Sequence, residues 1–195
     1  MKGKQKIALW IIPLFISLAL ISGCGQSDGK KVAEYFNAAA KIEKDVEASM
    51  NSLQDIGKQM ESKNPDFKAM LKTIEGQIKV IETKKAEFAA IPAPESAKDL
   101  QKYELEQFDI VKDMFTQSSK MFGYIEQAYG LRSKITKNTN KKEAMGIANQ
   151  AKALQSKIQT SMKEIPALQA KARGQEKKIQ DEQQKLAKQY NITLK

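Results

Sequence analysis

Few side chains in this chain could do covalent or acid–base chemistry. Cys24 is the single cysteine, so neither an intramolecular disulfide nor a cysteine-rich metal site can form. Histidine is absent, which removes the commonest general base and the commonest transition-metal ligand together. Hydrolytic triads and ordinary zinc sites go with it. Paired carboxylates could still carry protons, and Glu43, Asp45 and Glu47 form such a cluster. These three alternate with apolar positions in a helical pattern, so they are expected on a wet face. Glycine-rich phosphate loops are missing. The residues therefore predict attachment and charge recognition, with no catalytic site, no metal and no cofactor.

Charge is the second resource. The chain holds 33 Lys+Arg against 23 Asp+Glu, a formal net charge of +10. Its most polarised stretch runs from Arg132 to Lys142, where Arg132, Lys134, Lys137, Lys141 and Lys142 stand among turn-forming residues with no acid. A loop of that kind is the expected contact for a phosphate-bearing polymer or for anionic lipid headgroups. The alternative is a solvated loop without a ligand.

What precedes Cys24 sets the compartment. Lys2, Lys4 and Lys6 make a basic start, and Ile7 to Ile21 is apolar except at Pro13 and Ser17. Together they have the form of an export signal. Such a run rises about 22 Å as a helix, short of the ~30 Å hydrocarbon core, so a permanent span is disfavoured. The residues that follow, Ile21, Ser22, Gly23 and Cys24, resemble the lipobox of bacterial lipoproteins. That resemblance implies a diacylglycerol on the Cys24 sulfur, cleavage between Gly23 and Cys24, and a mature chain anchored to the extracytoplasmic face of a bacterial cell membrane. Two acyl chains give durable attachment where one binds reversibly. Residues 1–23 carry the three signal lysines and no acid, so the mature part keeps 30 Lys+Arg against 23 Asp+Glu, a net +7. In that compartment nucleic acid is not the expected polyanion.

Downstream, residues 24–29 are small or polar and predict a flexible tether, and 30–195 predict one helical domain. Val32, Ala39, Val46, Leu53 and Met60 recur every seven residues, with Tyr35, Ile42, Ser49 and Ile56 three places after the first four. This is the seam of a helix that packs on other helices, and it runs to about Ser62. Asn64 and Pro65 predict a restart, with Asn64 as cap. Phe67, Ile74, Ile81 and Phe88 then repeat by seven until Pro92 and Pro94 end the helix. A third helix from about Ser96 carries Leu100, Tyr103, Val111, Met114, Ser118, Met121 and Ile125. Phe108, Phe115, Phe122 and Tyr129 form a second row that widens its apolar face. This row is expected in the core, an open aromatic groove being the alternative, and Gly130 is the expected stop. Asn140 followed by Glu143 has the form of a capping box that opens a fourth helix. Pro166 should kink or split that helix. The Gln-, Lys- and Glu-rich segment from Gln175 to Lys195 should pack on one side only or project.

These elements predict an all-α, elongated antiparallel bundle of about four long helices with coiled-coil-like packing. Its length, lysine content and lipobox are similar to those of the elongated helical lipoproteins of Gram-positive bacteria, among them a family described as cell-wall-binding. The expected role is a non-enzymatic envelope or cell-wall binding or spacer module. The alternatives are a module that binds a helical protein partner or itself through an open heptad surface after Pro166, and a carrier of an apolar ligand held by the aromatic row.

Overall fold

The computed structural model describes residues 27–50, 56, 59, 65–135 and 140–194. Among these, all regular structure is helical. The long elements are α1 (Ser27–Met50), α2 (Phe67–Ala89), α3 (Lys98–Ser133) and α4 (Lys141–Gln189), and a 3-10 turn, Glu95–Ala97, leads into α3. Ile56 and Gln59 are helical as well, whereas Leu53, Met60 and Asn64 lie outside the described residues.

Pairs of side chains give the topology. Tyr35 near the start of α1 meets Phe88 at the end of α2 with ring centroids 6.4 Å apart. Phe67 and Tyr129 stack at 4.9 Å at the other end of the α2–α3 pair. Lys178 lies 5.9 Å from the Tyr103 ring and Lys157 5.3 Å from the Tyr124 ring, which runs α4 antiparallel to α3. Charge pairs repeat the same register, Lys84 with Asp45, Lys85 with Asp109 and Lys112 with Glu82. Half-exposed pairs of this kind add little stability, but like charges in those places would oppose the alignment. The result is an antiparallel four-helix bundle in which α3 packs most extensively, against α4 on one flank and α2 on the other.

The heptad rows supply the core. Val32, Ala39 and Val46 of α1, Ile74, Ile81 and Phe88 of α2, and Ala172, Ile179 and Leu186 of α4 all belong to one buried cluster. On α3 the aromatic row resolves residue by residue: Phe108, Phe115 and Phe122 are buried, whereas Tyr129 is 55 % exposed. Phe108 packs on Phe88 with centroids 5.4 Å apart. Three members of the row are therefore core, and the fourth is half exposed beside Phe67.

Helix ends follow local chemistry more closely than periodicity does. α1 begins at Ser27, so three residues of the expected tether already belong to the helix. The cap of α2 is Asp66, whose carboxylate accepts from the Ala69 amide at 3.0 Å, one residue beyond the proline. Between α2 and α3, the Gln101 side-chain amide donates to the Ile91 carbonyl at 2.9 Å and so satisfies an acceptor freed by the turn. Gly130 does not stop α3, which continues to Ser133. Asn140 does cap α4, its side-chain oxygen accepting from Glu143 N–H at 2.9 Å. Pro166 is exposed and α4 runs on through it. The carbonyl of Met162 that loses its donor there lies on a side open to water, which lowers the cost of the missing bond.

The segment from Gln175 packs on one side, the first of the two outcomes its composition predicts. Gln175, Ile179, Gln183, Leu186 and Ala187 are buried, so this polar stretch is part of the packed bundle. It closes with Asn191 at φ 52°, a left-handed residue that lets Ile192 N–H reach the Ala187 carbonyl at 2.8 Å and returns Ile192 to the core.

Truncation should separate the two classes of aromatic. Phe108→Ala is expected to cost about 3–5 kcal/mol of unfolding free energy and Tyr129→Ala under about 1 kcal/mol; chemical denaturation followed by circular dichroism measures both, and equal losses would contradict the burial pattern.

Candidate functional site

Two places in the fold depart from ordinary bundle packing. The first is the end where α3 passes to α4. Arg132 sits in the last turn of α3, Lys134 is its C-cap, and Lys141 and Lys142 open α4. All four are exposed, while Lys137 lies outside the described residues. Arg132 favours the negative end of the α3 dipole, but Lys141 and Lys142 stand at the positive end of α4, an arrangement that does not serve helix stability. Beside them a groove of about 480 Å³ is lined by Gln127, Gly130, Leu131, Lys134, Gln150, Ala153, Leu154 and Lys157. It has two cations and no acid. The exposed large apolar residues Tyr129, Ile135, Met145 and Met162 all fall on this half of the molecule.

The opposite end holds the start of α1. A side chain at Gly29 would stand 3.6 Å from Tyr190, so α1 begins against the close of α4. Ile21, Ser22, Gly23 and Cys24 lie outside the described residues. The chain leading to them enters at this end, and the cationic connection lies at the other. The 36 residues of α3 put about 54 Å between the two.

The second departure is inside the bundle, close to the α1 start. Tyr35 donates a hydrogen bond to Glu104 Oε2 at 2.5 Å, and Gln183 Nε2 approaches Glu104 Oε1 at 3.4 Å. Glu43 is only 4 % exposed and its Oε2 has no partner, and Gln107, fully buried, has none for either amide atom. This corrects the wet-face expectation for Glu43; Asp45 and Glu47 are indeed exposed. Burial pushes Glu104 up to about 8, opposed by the hydrogen bonds from Tyr35 and Gln183. Burial, and then the charge of Glu104, also hold Glu43 well above the carboxylate range. The Tyr35 hydroxyl is raised by burial first and then by both carboxylates. At both carboxyls burial is the leading cause of the shift.

A signal for this cluster did exist in the rows. Stepping back seven residues from Val111 lands on Glu104 and from Met114 on Gln107, and stepping forward from Phe36 lands on Glu43. Polar residues at seam positions mark where a helix buries something other than hydrocarbon. On α4 the same is true of Gln175, which donates to the Tyr103 carbonyl and to Glu106 Oε2, both at 2.9 Å.

Among the described residues no group of three or more acidic or other metal-ligating side chains could hold a metal ion, and no helix is long and apolar enough to cross a membrane. Compared with known proteins, the chain matches no family model, no curated protein and no solved structure. The fold places it among all-helical antiparallel bundles.

The buried cluster makes a directional prediction. Glu43→Leu removes an unpartnered oxygen and should raise stability, whereas Tyr35→Phe strips Glu104 of its closest donor and should lower it by about 1–3 kcal/mol. Denaturant midpoints at neutral pH check both signs.

Proposed function

We propose that the protein is a non-enzymatic lipoprotein on the extracytoplasmic face of a bacterial cell membrane, held by diacylglyceryl-Cys24 and serving as an envelope-binding spacer. The observation that carries this reading is the polarity of the bundle. The α1 start, toward Cys24, and the exposed Arg132, Lys134, Lys141 and Lys142 occupy opposite ends. An anchored rod of this form displays its cations about 54 Å from the attachment point. At that distance surface charge on the membrane is screened, the Debye length being about 8 Å at physiological ionic strength. The cationic end is therefore suited to an anionic wall polymer or to headgroups of another surface rather than to the lipid beneath it.

A second reading is favoured by the exposure of Met145 and Met162 on the first half of α4. That half offers exposed methionines to a helical protein partner or to a second copy, whereas Ile179, Leu186 and Ala187 after Ala172 are taken up within the bundle. The aromatic row offers no comparable support for an apolar-ligand carrier, since Phe108, Phe115 and Phe122 are core.

Radiolabelled palmitate should enter the protein in a bacterial host and fail to enter after Cys24→Ala; label persisting in that variant removes the anchor. Purified wall material should retain the protein, with retention falling steeply as salt rises, and replacing Arg132, Lys134, Lys141 and Lys142 together by alanine should abolish it without changing helix content. Salt-insensitive retention, or retention equal in the quadruple variant, rules out recognition by this end.

A further inference from the structure

We propose that Glu43 and Glu104 form a proton-operated latch that closes α1 onto α3 and α4 and opens when the pair loses its proton. The proposal does not depend on the envelope reading. It begins with how α1 is held. α1 packs along α2 but makes only sparse backbone approaches to α3 and α4. Its polar link to them is Tyr35, which bonds Glu104 on α3, and Glu104 in turn meets Gln183 on α4. One carboxyl thus joins three helices.

The groups facing this junction come from every neighbouring helix. From α1 they are Tyr35 and Glu43, from α3 Glu104 and Gln107, and from α4 Gln183. α2 contributes the Phe88 ring against Tyr35, while its Lys84 is engaged by Asp45 and Glu87. Lys185 of α4 is engaged by Glu182. Among the described residues neither carboxylate has a lysine or arginine paired with it, and two buried carboxylates without such a partner cannot both stay charged. The closed bundle needs a proton there.

An open state is accessible because the closed one leaves polar atoms unsatisfied. Glu43 Oε2, Gln107 Nε2 and Gln107 Oε1 are buried without partners. Water entering between α1 and α3 would hydrate all three and the newly ionised carboxylates together. The closed latch is thus poised against a hydrated alternative, with the proton as the deciding ligand.

The sign follows from linkage. Glu104 titrates near 4.5 when exposed and near 8 when buried. The closed form therefore holds a proton that the open form releases throughout that window. Closure contributes fully below about 4.5 and is lost as pH rises through about 8, and Glu43 shifts in the same direction. Opening should grow roughly tenfold for each pH unit within the window and level off above it.

Hydrogen exchange of the full chain in detergent micelles, corrected for the intrinsic pH dependence of exchange, tests this. From about pH 5.5 to about pH 8, peptides from 30–47 should lose protection steeply while peptides from 100–122 keep theirs. Glu104→Gln and the double variant Glu43→Gln with Glu104→Gln should flatten the response of the α1 peptides. The latch is overturned if α1 protection in the unaltered chain is independent of pH, if α1 and α3 lose protection together as in global unfolding, or if the double variant keeps the full pH response.

Discussion

The fold depends on the breadth of the apolar face of α3. A single a/d seam would need one partner, but Phe108, Phe115 and Phe122 add a second buried row beside Leu100, Val111 and Met121. Hydrocarbon over that width cannot be covered from one side, so α3 takes α2 on one flank and α4 on the other. α1 is the lid on this arrangement. It brings Val32, Tyr35, Phe36, Ala39 and Val46 to the cluster and, with them, a polar element. The same helix that completes the core also brings Glu43 to Glu104 of α3, a buried carboxylate pair.

Periodicity made much of this legible. Seven-residue rows located all four helices, and the capping pattern at Asn140 marked the start of α4 to the residue. What the rows could not settle is which stripe of a helix finds a neighbour. Glu43 reads as solvent-facing because its flanks alternate, yet α3 lies over it. Gln175 and Gln183 belong to a polar stretch that gives no sign of its partners, yet each faces a carboxylate or carbonyl from α3. Partners separated by 69 and 79 positions in the chain leave no local trace. A glutamine at a seam position becomes interpretable only when the opposite helix is known.

Gly130 and Pro166 do not end their helices, for a related reason. Glycine and proline carry intrinsic penalties, but these are modest for glycine and depend on solvent access for proline. Gly130 is followed by another turn of α3. Pro166 lies on an exposed side of α4, where the unpaired carbonyl meets water. The lipobox-like residues and the cationic connection differ in kind from these features. They are read by residue type alone, and the fold adds that the start of α1 and the α3–α4 connection lie at opposite ends of the bundle.

That separation has a mechanical side. A pull applied between the start of α1 and the α3–α4 connection is directed along the helix axes, so the seams are loaded in shear, with many side-chain contacts sharing the force at once. A pull between Gly29 and Tyr190, which sit together at one end, would instead peel α1 away from the bundle turn by turn. The bundle is built to resist the first direction and to yield in the second.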